Sequence, residues 1–351
     1  MKSSPPYFEY FHLTPLTKRR LANFRQNRRG FWSLWIFGAL FFFTLFAEVF
    51  ANDKPLLLYF DGAFYSPVIV EYPEIIFGGE FLTEADYRDP FVTDLINAKG
   101  WMAWPPIRYS YDTINYDLKV PAPAPPSMSN WLGTDDQGRD VVARLIYGFR
   151  ISVLFGLSLT LFSAIIGVSI GAFQGFYGGL TDLLGQRLIE IWAGMPMLYL
   201  LIILASVITP NFWWLLGLMM LFSWMGFVGV VRAEFLKARK LDFVLAAQAL
   251  GVSDLNIIYK HILPNAIVAT LTFMPFTLAG AITTLTGLDF LGFGLPAGSA
   301  SLGELLNQGK ANLQAPWLGL SGFFIIAIML SLLVFIGEAV RDAFDPRNSL
   351  Q

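Results

Sequence analysis

The chain has 351 residues, 55% of them hydrophobic and 16% aromatic, with a mean hydropathy of +0.54 and a formal net charge of −2. That balance excludes an ordinary soluble domain and places the chain among polytopic membrane proteins; no nucleic-acid partner is expected. There is no cysteine, and the two histidines, His12 and His261, lie in unrelated segments, so neither a disulfide, a metal site nor a cofactor is expected.

In chain order, residues 1–30 read as a cytoplasmic tail. Lys18, Arg19, Arg20, Arg25, Arg28 and Arg29 precede the first apolar stretch, Phe31–Phe50, and the positive-inside rule puts them in the cytoplasm. Val49-Phe50-Ala51 has the look of a cleavage site, but the long basic region and long apolar run favour a retained helix at 31–50. Phe41, Phe42 and Phe43 are expected to face lipid.

Residues 51–150 form a mixed insert in which acidic side chains outnumber basic ones, placed outside the membrane by the same rule. Tyr72-Pro73, Asp89-Pro90 and Trp104-Pro105-Pro106 break it into short elements, and Pro121–Pro126 predicts a polyproline-II spacer. At its end, Gly133 and Gly138 suit tight turns and Asp140 is a helix cap, while Arg139, Arg144 and Arg150 are expected to snorkel at the membrane surface. A phosphate-binding reading of these glycines fails for want of a preceding strand and a Gly-Lys-Ser/Thr tripeptide.

Residues 151–340 hold five further spans, near Ile151–Phe176, Leu188–Ile208, Phe212–Val231, Ala266–Phe293 and Trp317–Ile336, each long enough for a hydrocarbon core of about 30 Å. Six crossings return the C-terminal tail, 341–351, to the cytoplasm. Gly167, Gly171, Gly175 and Gly178 recur at helical steps and predict close helix packing, with a role on a translocation path as the alternative. Arg187 and Glu190 predict a local ion pair, and Trp213, Trp214 and Trp317 read as interfacial anchors.

The cytoplasmic loop 233–265 predicts a helix-turn-helix. Asp242 caps a first short helix, Gly251 sits where a left-handed C-terminal residue belongs, Ser253 and Asp254 open a second helix, and Pro264 stops it. The second helix should bury Leu255, Ile258, Tyr259 and Ile262, and Ala246, Ala247 and Ala249 leave the first thin enough for close approach. Near the outer end of the fifth span, Asp289 is either a candidate for the translocation path, attracting the amino end of a peptide, or a cap or partner of Lys310 or Arg139. No Walker motif, Ser-His-Asp order or zinc spacing is present, so no catalytic residue is expected and ATP hydrolysis would belong to another chain.

Ala246, Ala247, Gly251, Leu263 and Pro264 resemble the EAA loop of binding-protein-dependent ABC import permeases, with Leu245 where the motif has Glu and His261 where it has Ile. Gly133, Thr134, Asp135, Gly138, Arg139 and Asp140 are similar to the Leu-Gly-Thr-Asp-x-x-Gly-Arg-Asp segment of DppC/OppC-type permeases. Leu291-Gly292-Phe293-Gly294, Ala315-Pro316-Trp317 and Arg341-Asp342-Ala343-Phe344-Asp345-Pro346-Arg347 match further blocks, and the long insert is most like the YejE-type permeases of peptide and microcin C importers. The resemblance implies an all-α, six-span type I permease of the bacterial inner membrane. It further implies a second homologous permease, ATP-binding subunits docked on Ala246, Ala247, Gly251, Ser253, Asp254, Leu263 and Pro264, and a periplasmic peptide-binding protein for which 71–126 is the expected docking surface. Bracing against the partner permease is the alternative for that insert. A permease for nickel or another small solute would share this architecture. An autonomous channel or proton-coupled carrier would need more mid-span ionisable residues and no such loop.

Overall fold

The computed structural model describes residues 15–205, 207–296 and 298–344; residues 1–14 of the N-terminal tail, His12 among them, and the Asp345-Pro346-Arg347 end of the C-terminal block lie outside them. Pro15–Gln26 (α1), Arg28–Leu45 (α2) and Ala47–Phe50 (α3) lead into the insert. The insert holds strands β1 (Leu57–Phe60), β2 (Ala63–Tyr65) and β3 (Gly100–Ala103), a 3₁₀ turn at Glu74–Phe77, and α4 (Pro90–Lys99). The bundle follows as α5 (Val141–Tyr177), α6 (Gly179–Ala193), α7 (Met197–Ala205), α8 (Phe212–Ser223) and α9 (Met225–Ala238). After the loop helices α10 (Asp242–Ala249) and α11 (Asp254–Asn256) come a π-helical turn at Ile257–Ile262, α12 (Leu263–Phe290), α13 (Leu302–Ala311) and α14 (Pro316–Phe344).

Among the described residues four helical stretches are long and apolar enough to cross a membrane: α5, α8 with α9, Asp254–Phe290 and α14. A fifth is α6 with α7 if their 59° bend is counted within one span. The bend falls at Gly194-Met195-Pro196, where proline withdraws a backbone donor and clashes with the preceding turn. The sixth expected span, Phe31–Phe50, is divided between α2 and α3 at Phe46, and α2 lies along α14 and α5. Phe42 and Phe43 are exposed, as expected of lipid-facing residues, whereas Phe41 packs against the bundle core.

α5 is the axis of the bundle. Along it Gly167, Gly171 and Gly175 meet α9, and a Cβ added at Gly171 would lie 2.9 Å from the Val228 carbonyl oxygen and 3.0 Å from the Val231 Cβ. The small-residue face is thus a helix-packing face, where only hydrogen lets the two backbones approach. Gly171→Leu should therefore abolish recovery of monodisperse protein from detergent. Gly217→Ala, where a Cβ meets nothing within 4 Å, should leave it unchanged, as size-exclusion profiles would show.

The insert has a core of its own, and with it β structure that the all-α bundle lacks. β1 is central in an antiparallel sheet ordered β2-β1-β3, pairing Leu58 with Tyr65 on one side and Met102 on the other. Alternation along β1 sends Leu58 and Phe60 inward against Phe77, Tyr87, Val92 and Ile96. The Pro121–Pro126 run is not a free spacer. Ala124 is buried, its N–H donates to Thr134 Oγ1 at 2.9 Å, and its carbonyl accepts from Thr134 N–H at 2.9 Å.

Candidate functional site

Two constructions stand at opposite ends of the bundle. At the insert end, the turn carrying Gly133, Thr134, Asp135, Gly138, Arg139 and Asp140 closes onto α13 and α14. Gly133 and Gly138 adopt φ of 76° and 84°, the left-handed region expected of tight turns. Asp140 caps α5, accepting the Ala143 N–H at 2.8 Å, and its other oxygen accepts Asn130 Nδ2–H at 2.9 Å. Burial pushes this carboxyl above the usual carboxylate range, against the pull of those hydrogen bonds.

Asp135 is fully buried. It accepts the Gln137 and Arg139 N–H groups and binds Arg139 Nε at 2.7 Å. Arg139 Nη2 reaches Glu304 Oε1 at 3.0 Å, and Arg144 Nη2 reaches Glu304 Oε2 at 3.0 Å and the Ser299 carbonyl at 3.1 Å. Arg144 Nη1 stands 3.5 Å from Asp135 Oδ2, within ion-pair range without a hydrogen bond. Burial lowers the Arg139 guanidinium, yet Asp135 and Glu304 outweigh it and hold its pKa above the ordinary value.

The snorkelling expectation for Arg139 and Arg144 is thereby corrected. They are 2% and 1% exposed, because Glu304 and Asp135 supply the countercharge that the membrane surface would otherwise provide. Arg150 pairs with Glu48 at 2.8 Å. Trp317, expected as an interfacial anchor, instead donates its indole N–H to the Thr134 carbonyl at 3.1 Å. Asp289 accepts the Leu295 N–H at 2.7 Å and the Ser301 hydroxyl at 2.6 Å. With both oxygens occupied it braces the corner after α12, while Lys310 lies over the Phe290 ring. Sequence reasoning passed over Glu304 and Ser301: the Ser-x-x-Glu spacing marks the start of α13, where Ser301 accepts the Glu304 N–H at 3.1 Å, but nothing local marks Glu304 as the partner of Arg139, 165 positions away.

At the other end, α10 and the π turn pack on α5 and α9. Val244, Ala247, Ile257, Ile258 and Ile262 are buried against Ala172, Phe176, Val231 and Phe235. Gly251 has φ of 74° and closes α10, its N–H donating to the Gln248 carbonyl and the Val252 N–H to Ala247. Ser253 precedes α11 and Asp254 opens it. Three local expectations are corrected. Leu241 rather than Asp242 is the cap residue of α10, with Asp242 inside its first turn. Pro264 stops nothing: it follows the π turn directly, as the second residue of α12, and the helix runs on from Asp254 to Phe290. The π turn rephases the buried stripe to Ile257, Ile258 and Ile262, leaving Leu255 and Tyr259 exposed. On the far side of the loop Ala246, Leu245, Leu250 and Leu255 face outward, Leu250 at 83% exposure. Arg187 and Glu190 pair at 2.5 Å as expected, and α6 is tied to α9 by Asp182 and Arg232.

A bundle of apolar spans around a glycine-faced axis, with a short helical elbow seated on its end, is the architecture of a multi-pass membrane protein. Residues 167–350 match the family of binding-protein-dependent transport system inner membrane components, and the chain belongs to that family. It is 57% identical over 375 residues to the peptidoglycan transport system permease protein YejE of Agrobacterium fabrum, covering all of this chain and 97% of that one. It is 60% identical to the inner membrane ABC transporter permease protein YejE of Escherichia coli, covering 96% of this chain and 99% of that one. To the oligopeptide transport system permease protein OppC of Bacillus subtilis it is 36% identical, over 68% of this chain and 78% of the other. The chain is accordingly a YejE-type, multi-pass inner-membrane permease, not itself catalytic.

Proposed function

We propose that this permease forms half of an ATP-driven importer of oligopeptides and peptide-like compounds such as microcin C. It pairs with a second homologous permease, receives substrate from a periplasmic binding protein, and docks separate ATP-binding subunits on the 233–265 loop. The observation that carries this reading is the loop's two-sided construction. Val244, Ala247, Ile257, Ile258 and Ile262 fix it to α5 and α9, while Leu245, Leu250 and Leu255 present apolar surface that a soluble partner would cover. The substrate class is supported by relatives named for oligopeptide and peptidoglycan transport. ATP-driven closure would then move the loop, and α12, continuous with it, would carry the shift into the bundle.

The natural absence of cysteine makes the test clean. Leu245→Cys and Leu250→Cys should crosslink to a co-expressed ATPase subunit, and Ile69→Cys, on the insert and 82% exposed, should not. An impermeant thiol reagent added to intact cells should label cysteines at Ser66, Ala122 and Ser299 and spare those at Lys18 and Ser253. Labelling of Ala122 and Ser253 from one side would defeat the arrangement.

A further inference from the structure

The insert carries two adjoining cavities, of about 430 and 570 Å³, that share Tyr87 and Arg88 as a common wall. Each lies within the roughly 300–1,000 Å³ typical of small-ligand sites. Their chemistries are opposite. The first is lined by five carboxylates, among them Asp53, Asp86 and Asp117, against only Lys54 and Arg88, and Lys54 is already paired with Glu84. The second is lined by Arg88 and Arg108 with Trp104 and Tyr109. Both guanidiniums are laid on aromatic faces, Arg88 at 4.3 Å from the Tyr109 ring and Arg108 at 5.4 Å from that of Trp104. Among the described residues neither has a carboxylate within ion-pair distance, so their anion-binding edges remain open. Between the two halves stands Tyr87, 1% exposed, its ring packed edge-on against Phe77 in the core of the insert so that it forms a fixed wall between them.

We infer that the insert is itself a binding site for a short peptide with free termini. The ammonium end sits in the carboxylate-lined half and the terminal carboxylate against Arg88 and Arg108. One apolar side chain of the peptide lies on Trp104. The ligand class rests on the peptide-import reading; the division of charge does not. A peptide is favoured over a simple anion because a carboxylate or phosphate alone would gain nothing from the acidic half.

The test is titration calorimetry on the full-length detergent-solubilised chain with Ala-Phe-Ala, its N-acetyl form and its C-terminal amide. Saturable binding of the free tripeptide is expected, with each blocked form about tenfold weaker or worse. Arg108→Gln should weaken the free peptide by a similar factor and erase the preference for acid over amide, leaving the preference for a free amine intact; Asp117→Asn should do the converse. No saturable binding at millimolar peptide, or equal affinity for all three forms, overturns the inference, and this comparison needs no variant to fold. So does a flat peptide titration in which Arg108→Gln weakens only association with the binding protein. Import by the complete transporter in vesicles separates this claim from the one beneath it. Import without insert binding sinks the cleft alone, whereas insert binding without import keeps the cleft and sinks the import reading.

Discussion

Glu304→Ala is expected to be the most damaging single substitution in the insert-side half of the protein. It would leave Arg139 and Arg144, both buried, sharing Asp135 alone. Removing one partner from a buried charge cluster costs about 3–5 kcal/mol, because the remaining charge keeps its desolvation penalty without its compensation. Folded yield and thermal midpoint in detergent should both collapse. The decisive comparison is the double variant Glu304→Leu with Arg144→Met. It leaves Asp135 and Arg139 as a balanced pair at 2.7 Å and replaces the other two with apolar bulk, so most of the lost stability should return. A double variant no better than the single one would mean that the cluster's countercharge is not what holds the turn.

Gly251→Val should abolish uptake while the protein still inserts and folds. The penalty is conformational, not steric: an added Cβ meets nothing within 4 Å, but φ is 74°, which costs a β-branched residue about 1–2 kcal/mol or more. That is too little to unfold a bundle, yet enough to turn the elbow between α10 and α11 and spoil the outward placement of Leu245, Leu250 and Leu255. Gly251→Asn, which tolerates the left-handed region, should retain a substantial part of both ATPase association and transport. Wild-type uptake by Gly251→Val would remove this loop from its proposed role.

What was legible in the sequence is what local rules encode. Hydropathy located the long spans, the glycine spacing announced the α5–α9 contact, and Gly251 declared its backbone conformation through the absence of a side chain. Asp140 was readable as a cap because its acceptor needs only the next turn. The misreadings have two causes, atoms distant in the chain and a local shift of helical register. Arg144 looks like a snorkelling residue until Glu304 is placed beside it, and Trp317 like an interfacial anchor until the Thr134 carbonyl is found at its indole. Pro264 was read as a terminator because a π turn, which shifts the register just before it, leaves no mark in composition. The insert's sheet was equally hidden, its strands being only three or four residues long and scattered among prolines.

The unbroken run from Asp254 to Phe290 has 37 residues, a rod of about 55 Å. One end is the elbow itself. The other ends at Asp289, whose carboxylate accepts the Ser301 hydroxyl, and Ser301 in turn accepts the Glu304 N–H at the start of the helix that bears the charge cluster. The loop and the charge cluster are thus joined by a single beam, and about midway along it stands Pro275, where one backbone hydrogen bond is missing. Under the proposed import cycle, a beam hinged at that point trades stroke for stiffness: stiffening it would pass the loop's movement on to the charge cluster, and softening it would let the loop end swing alone.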